Sequence, residues 1–153
     1  MELFHTSPNE ITKIGMTSGR FGSNLFFSSS VYRMAACETI TYSIEIDENQ
    51  IINASQLFHR ENWEKLLPVV EDVMETFGVD QQTAMNLLDE TEQIYQVESN
   101  VEQENMADAS WDIQKLTARC AKILGYRGVA VSDETGTSYM IDMYGKESEL
   151  KLV

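Results

Sequence analysis

The sequence predicts an α+β fold. Strand-like patterns fill residues 1–53, helical periodicity runs through residues 55–126, and strand patterns return over 127–153. That order of strands, helices and strands, in a chain of 153 residues, fits a single domain over 1–153 with one acidic helical middle region.

The elements follow in order. Leu3-Phe4-His5 is a short apolar strand that stops at the turn cluster Thr6-Ser7-Pro8-Asn9. Asn24-Leu25-Phe26-Phe27-Ser28 follows a glycine-containing turn and reads as a second strand. Ile40-Thr41-Tyr42-Ser43-Ile44-Glu45-Ile46 alternates apolar with polar and is rich in β-branched residues, so it predicts a half-buried strand. Ser55 caps a short helix ending near Lys65. Pro68 opens the next helix, where its missing N–H does no harm. Val69, Val70, Val73, Met74 and Phe77 give that helix a stripe of period 3.6, and Gly78 ends it. Asp80 caps a helix from 81 to about 96, with Ala84, Leu87, Leu88 and Tyr95 on one side. Residues 99–107 read as a polar linker. Ser110 starts the last helix, with Trp111, Ile113, Leu116, Cys120 and Leu124 inward and Gly125 at its end. Residues 128–131 and 138–141 read as strands. Asp133-Glu134-Thr135-Gly136 between them predicts a hairpin, and residues 149–153 add an edge strand.

Composition narrows the function. Hydrophobic residues make up 42% of the chain, enough for a packed core. No apolar run is long enough to span a membrane. Met1-Glu2-Leu3-Phe4-His5 lacks the basic and apolar regions of a secretory signal, so a cytoplasmic protein is expected. Cys37 and Cys120 lie far apart, and His5 and His59 have no ligand-like neighbours. No metal site is expected, and the thiols read as reduced and structural. The net charge of −14 argues against direct contact with nucleic-acid phosphates and suits a partner whose own surface is basic. From Leu66 to Gln114 there are twelve Asp or Glu and no Lys, Arg or His. Such a run is either a solvated helical face or a docking surface for a basic partner.

Three segments carry chemistry together: Leu3-Phe4-His5-Thr6-Ser7, then Gly19 through Ser28 followed by Tyr32-Arg33-Met34-Ala35-Ala36, then Leu124 through Gly136. The first resembles the His-Gly-Ser or His-Gly-Thr signature of the diphtheria-toxin and poly-ADP-ribose-polymerase branch of mono-ADP-ribosyltransferases. The second resembles that branch's strand with an aromatic that stacks on nicotinamide. Met1 to His5 with Phe21-Gly22, Trp111 to Leu116, and Leu124-Gly125-Tyr126 through Thr137 resemble the type I-F anti-CRISPR ADP-ribosyltransferases that phages direct against bacterial CRISPR complexes. Two departures stand out. Thr6 takes the place of the usual glycine, and the acidic candidate is an Asp at a turn rather than a Glu within a late strand.

The resemblance implies a small split-sheet ADP-ribosyltransferase fold, NAD as ADP-ribose donor, and a set of site residues. His5 would hydrogen-bond a ribose hydroxyl. The Thr6 backbone would pair with the nicotinamide amide, with Ser7 beside it. Phe26 would cover the ring, and Phe21, after which Gly22 turns the chain, or Tyr32 would supply the other side. Breaking the nicotinamide–ribose bond passes through an oxocarbenium-like state, which a carboxylate stabilises. Asp133 is the candidate for that role and Glu134 the reserve. The implied acceptor is the large subunit of the type I-F surveillance complex, the part that reads the short DNA tag beside the target, in the bacterial host cytoplasm. A non-enzymatic acidic mimic of DNA, and an ADP-ribosylating toxin with another host target, are the competing readings.

Overall fold

The computed structural model describes residues 1–7, 10–11, 14, 23–30, 40–133 and 136–153, with Asp133 described through its backbone. Among these, ten elements organise the chain. They are β1 (Glu2–Ser7), β2 (Asn24–Phe27), β3 (Ile40–Glu45), β4 (Ile51–Asn53), α1 (Leu67–Phe77), α2 (Gln81–Leu88), α3 (Met106–Ile123), β5 (Gly128–Asp133), β6 (Gly136–Asp142) and β7 (Lys151–Leu152). Short 3₁₀ turns fill several connections.

The strands form two sheets, in the orders β1-β3-β7 and β2-β6-β5-β4. All pairings are antiparallel except β4 with β5. The sheets meet at one bridge, where Phe4 and Ser28 exchange backbone hydrogen bonds of 2.8 and 2.9 Å. Among the described residues this bridge between β1 and the end of β2 is isolated. The result is the split-sheet α+β architecture expected from the sequence.

Alternation along the strands builds two cores, because successive side chains point to opposite faces. Ile52, Val129, Val131 and Met140 face the helices, where they meet Val70, Val73, Leu88, Ile113 and Cys120. Leu3, Phe27, Ile44, Ile141 and Met143 fill the space between the two sheets. Cys120 is fully buried, and burial pushes its thiol up to about 12, which makes it an inert packing residue. Cys37 lies outside the described residues. No helix among the described residues is long and apolar enough to cross a membrane.

Helix ends follow local chemistry. Pro68 sits in the first turn of α1, and Gly78 closes it in the left-handed conformation at φ 65°. Asn100 takes up two of the last carbonyls of α1, its N–H bonding Phe77 and its side chain Thr76. The Asp80 carboxylate accepts from the Thr83 N–H at 2.8 Å, so Asp80 caps α2 as its sequence position predicts.

Five expectations need correction. The helix begun by Asp80 ends at Leu88, not near 96, because Glu90 turns left-handed at φ 67°. Ile94 therefore enters the core, and Tyr95 stands 67% exposed rather than buried. The last helix begins at Met106, before Ser110, so the linker expected over 99–107 is shorter. Trp111 is exposed, not inward. The region expected as one helix from Ser55 is a pair of 3₁₀ segments, Ala54–His59 and Trp63–Leu66.

One buried hydroxyl ties α2 to α3. Thr117 Oγ1 lies 2.9 Å from the Leu88 carbonyl and 3.0 Å from that of Ile113, and the residue is 2% exposed. Thr117→Val keeps the shape and deletes the donor, leaving the end of α2 with an unmatched buried carbonyl. The expected loss is about 1–3 kcal/mol, read as a lower urea midpoint at unchanged slope; an unchanged midpoint would show that water replaces the hydroxyl.

Candidate active site

A cavity of about 560 Å³ lies beside the Phe4–Ser28 bridge, where β1 meets the end of β2. Its walls include Phe4, His5 and Thr6 from β1, Phe26 and Phe27 from β2, Ser28 to Ser30 beyond it, and Thr137 to Tyr139 from β6. This volume lies in the range of small-molecule sites.

Strand geometry explains what β1 presents. In an antiparallel strand the N–H and C=O of one residue point to the same side, and alternate residues share that side. Both backbone groups of Phe4 point to Ser28. Thr6, two residues on, therefore directs its N–H and C=O away from β3 and towards the cleft. The side chain at position 6 does not alter that direction, so the loss of the usual glycine leaves the backbone donor and acceptor in place.

His5 is fixed by its own ring. Nδ1 lies 2.6 Å from the Phe26 carbonyl oxygen. A carbonyl only accepts, so Nδ1 carries the proton, and in the neutral ring Nε2 is left as an acceptor. Burial pushes the imidazole below its ordinary range, outweighing the opposing pull of the Phe26 carbonyl. The neutral tautomer thus presents one lone pair, suited to a hydroxyl donor. The ring also lies against Phe27, with centroids 5.6 Å apart at 53°.

This burial has a pH signature. The unfolded imidazole takes up a proton near its ordinary value of 6.5, whereas the folded one resists until lower pH. The unfolded state therefore binds more protons in that window. The stability from a neutral His5 is complete above 6.5 and is lost as pH falls through the folded value. Melting curves between pH 7 and 5 should show wild type losing more stability than His5→Gln; parallel losses would mean that His5 is not the group responsible.

The acidic candidate reaches the same region through its backbone. Asp133 is the last residue of β5 and pairs with Gly136, and the next residue of β6, Thr137, lines the cavity. Phe26 is half-buried, lining the cavity while also packing against the helical core. Ser7 is buried at 9% exposure and does not line the cavity. Phe21, Gly22, Tyr32 and Glu134 lie outside the described residues. Sequence reasoning passed over Thr137 to Tyr139 as cavity walls. Only the register of β6 against β2 brings them there, with Tyr139 opposite Phe27.

A second cavity of about 500 Å³ opens at the other end of the β2–β6 ladder, near Asn24 and Asp142 and beside α3. Lys115, Arg119, Lys122 and Arg127 line it, but most of this charge is matched. Arg119 faces Asp72 at 3.6 Å, Lys122 faces Asp142 at 3.0 Å, and Arg127 faces Glu149 at 2.9 Å. Burial would push the Asp142 carboxyl up, but hydrogen bonds from Ser23, the Tyr144 N–H and Lys122 bring it below its ordinary value. These ion pairs leave this cleft a poorer match to an anionic ligand than its composition implies.

Two sheets split at a single bridge, with a histidine strand and an aromatic strand flanking the opening, form the arrangement expected of an ADP-ribosyltransferase. The chain belongs to the family described as anti-CRISPR type I-F ADP-ribosyltransferase AcrIF11, whose model matches residues 1–146. It is therefore an enzyme class that takes ADP-ribose from NAD. A solved structure described as the crystal structure of an anti-CRISPR protein is similar in fold, with a TM-score of 0.54 and 24% identity. The match covers 92% of this chain and 88% of the other. No curated protein sequence matches the chain.

Proposed function

We propose that the cleft between β1 and β2 holds NAD and that the chain transfers its ADP-ribose to the large, DNA-tag-reading subunit of the type I-F CRISPR surveillance complex. The observation that carries this reading is the convergence on one cavity of the Thr6 backbone direction, the neutral His5 ring, the Phe26 side chain and the β5–β6 hairpin end. The Thr6 N–H and C=O, directed to the cleft, pair with the nicotinamide amide. His5 Nε2 accepts from a ribose hydroxyl. Phe26 supplies a flat apolar face. The Asp133 carboxylate stabilises positive charge on the ribose while the bond to nicotinamide breaks and its electron pair leaves with the ring. The acceptor's nucleophile then bonds to the same ribose carbon and gives up its proton.

The added group brings two negative phosphates. On a protein surface that binds DNA, it repels the DNA backbone and fills space. The chain's net charge of −14 favours encounter with such a basic surface.

The run of twelve acidic residues without a basic one between Leu66 and Gln114 supports a second reading, a stoichiometric mimic of DNA. Incubating the protein with labelled NAD and the purified surveillance complex separates the two. Transfer predicts label on the large subunit and loss of DNA binding at substoichiometric protein. Inhibition without NAD, only at equal stoichiometry, would support the mimic. Label in a host lysate on an unrelated protein, or on nucleic acid, would reassign the target.

A further inference from the structure

We propose that Glu90, within the acidic stretch, is a positioning residue that holds the end of β5 and so places Asp133; this rests on the assignment of Asp133 to the reacting ribose. Gly78 follows α1 at φ 65° and Gly125 follows α3 at φ 93°. Glycine takes the left-handed conformation at no steric cost. After α2 the same conformation falls to Glu90 at φ 67°, the one non-glycine residue with positive φ among the described residues. A glutamate there is strained, and strain of this kind persists where the side chain or its surroundings compensate for it.

The side chain of Glu90 makes such a contact. Its Oε2 accepts a hydrogen bond from the Ser132 backbone N–H at 2.9 Å. The place is specific. On its outer edge β5 pairs with β4 only from Gly128 to Ala130, so no strand partner among the described residues reaches Ser132 from that side. The Glu90 carboxylate takes the position a strand would occupy, and a charged acceptor makes the stronger kind of hydrogen bond. On the inner edge, Ser132 pairs with Thr137, a wall of the cavity, and the next residue is Asp133. One carboxylate thus clamps the strand end immediately before the candidate catalytic group. A bond of this kind acts on the rate, because catalysis depends steeply on where the reacting group sits.

Backbone strain and clamping predict opposite signs for one substitution, which makes the test selective. Glu90→Gly relieves the strained conformation and removes the clamp. Its melting temperature should equal or exceed that of wild type, while kcat for transfer falls about tenfold or more at a nearly unchanged KM for NAD. Glu90→Gln keeps a side-chain oxygen at the same reach and should restore most of the rate. In the NMR spectrum of wild type, the Ser132 amide should shift as the Glu90 carboxyl titrates; in Glu90→Gly that response should vanish and the amide should exchange faster with solvent. If the glycine variant fails to fold, Glu90→Ala, which keeps the strain and loses the carboxylate, carries the same comparison of rates. Wild-type kcat in the glycine or alanine variant, alongside an inactive Asp133→Ala, would overturn the positioning role and leave the site intact. Full activity in the Asp133→Ala variant as well would remove the site assignment on which the proposal rests.

Discussion

Asp133→Ala is expected to lower ADP-ribose transfer by roughly two to three orders of magnitude, the loss typical when one preorganised electrostatic group is removed from a reacting centre. The residue closes β5, and its pairing with Gly136 runs through the backbone, so the strand remains after truncation. The melting temperature should therefore stay near that of wild type while nicotinamide release stops. Asp133→Asn refines the result, since it keeps the volume and removes the charge. If charge on the ribose is what the group stabilises, the asparagine variant should be nearly as inactive as the alanine one. Retained transfer in both would move the role to Glu134, the next residue along the turn.

Phe26→Ala is expected to weaken NAD binding about thirtyfold, corresponding to roughly 2 kcal/mol for the buried ring face and its stacking. The backbone carbonyl that holds His5 Nδ1 survives this change, so His5 keeps its tautomer. Because Phe26 also packs against the helical core, the alanine variant will lose stability as well. Phe26→Leu separates the two effects, since it refills the core but offers no flat face. Titration calorimetry should find the leucine variant folded and still weak for NAD. An unchanged affinity would mean that the ring is not covered by this side chain.

Much of the framework was legible in the sequence because local chemistry decides it. Pro68 and Gly78 bracket α1, Asp80 caps α2, and β5 pairs antiparallel with β6 up to Asp133 and Gly136, as the expected hairpin requires. What escaped depends on tertiary context. Strand β4 has three residues, Ile51–Asn53, and its parallel partner lies some seventy-five positions away, so neither period nor turn signal announces it. The break after Leu88 uses neither glycine nor proline. Tyr95 was expected inward only because the helix was expected to continue. Trp111 misled by size. The buried residues of α3 are Ala109, Ile113, Thr117, Ala118, Cys120 and Ala121, mostly small. At about 100° per residue, Trp111 stands about 200° from both Ala109 and Ile113, the buried residues nearest to it in sequence.

The candidate site divides in the same way. The order of the three motifs could be read from sequence, which nominates His5, Thr6, Phe26 and Asp133 as candidates. The hydrogen bond that fixes the His5 tautomer and the clamp from Glu90 to Ser132 could not, because each joins residues brought together only by the fold.

The central claim is that a nicotinamide amide docks against β1 at Thr6, and a crystal structure with NAD bound reads it directly. The account predicts the amide paired to the Thr6 N–H and C=O, the ring over Phe26, a ribose hydroxyl on His5 Nε2 and the reacting ribose facing Asp133. Density for NAD in the cleft beside α3, among Lys115, Arg119 and Lys122, with the β1 edge left bare, would contradict it.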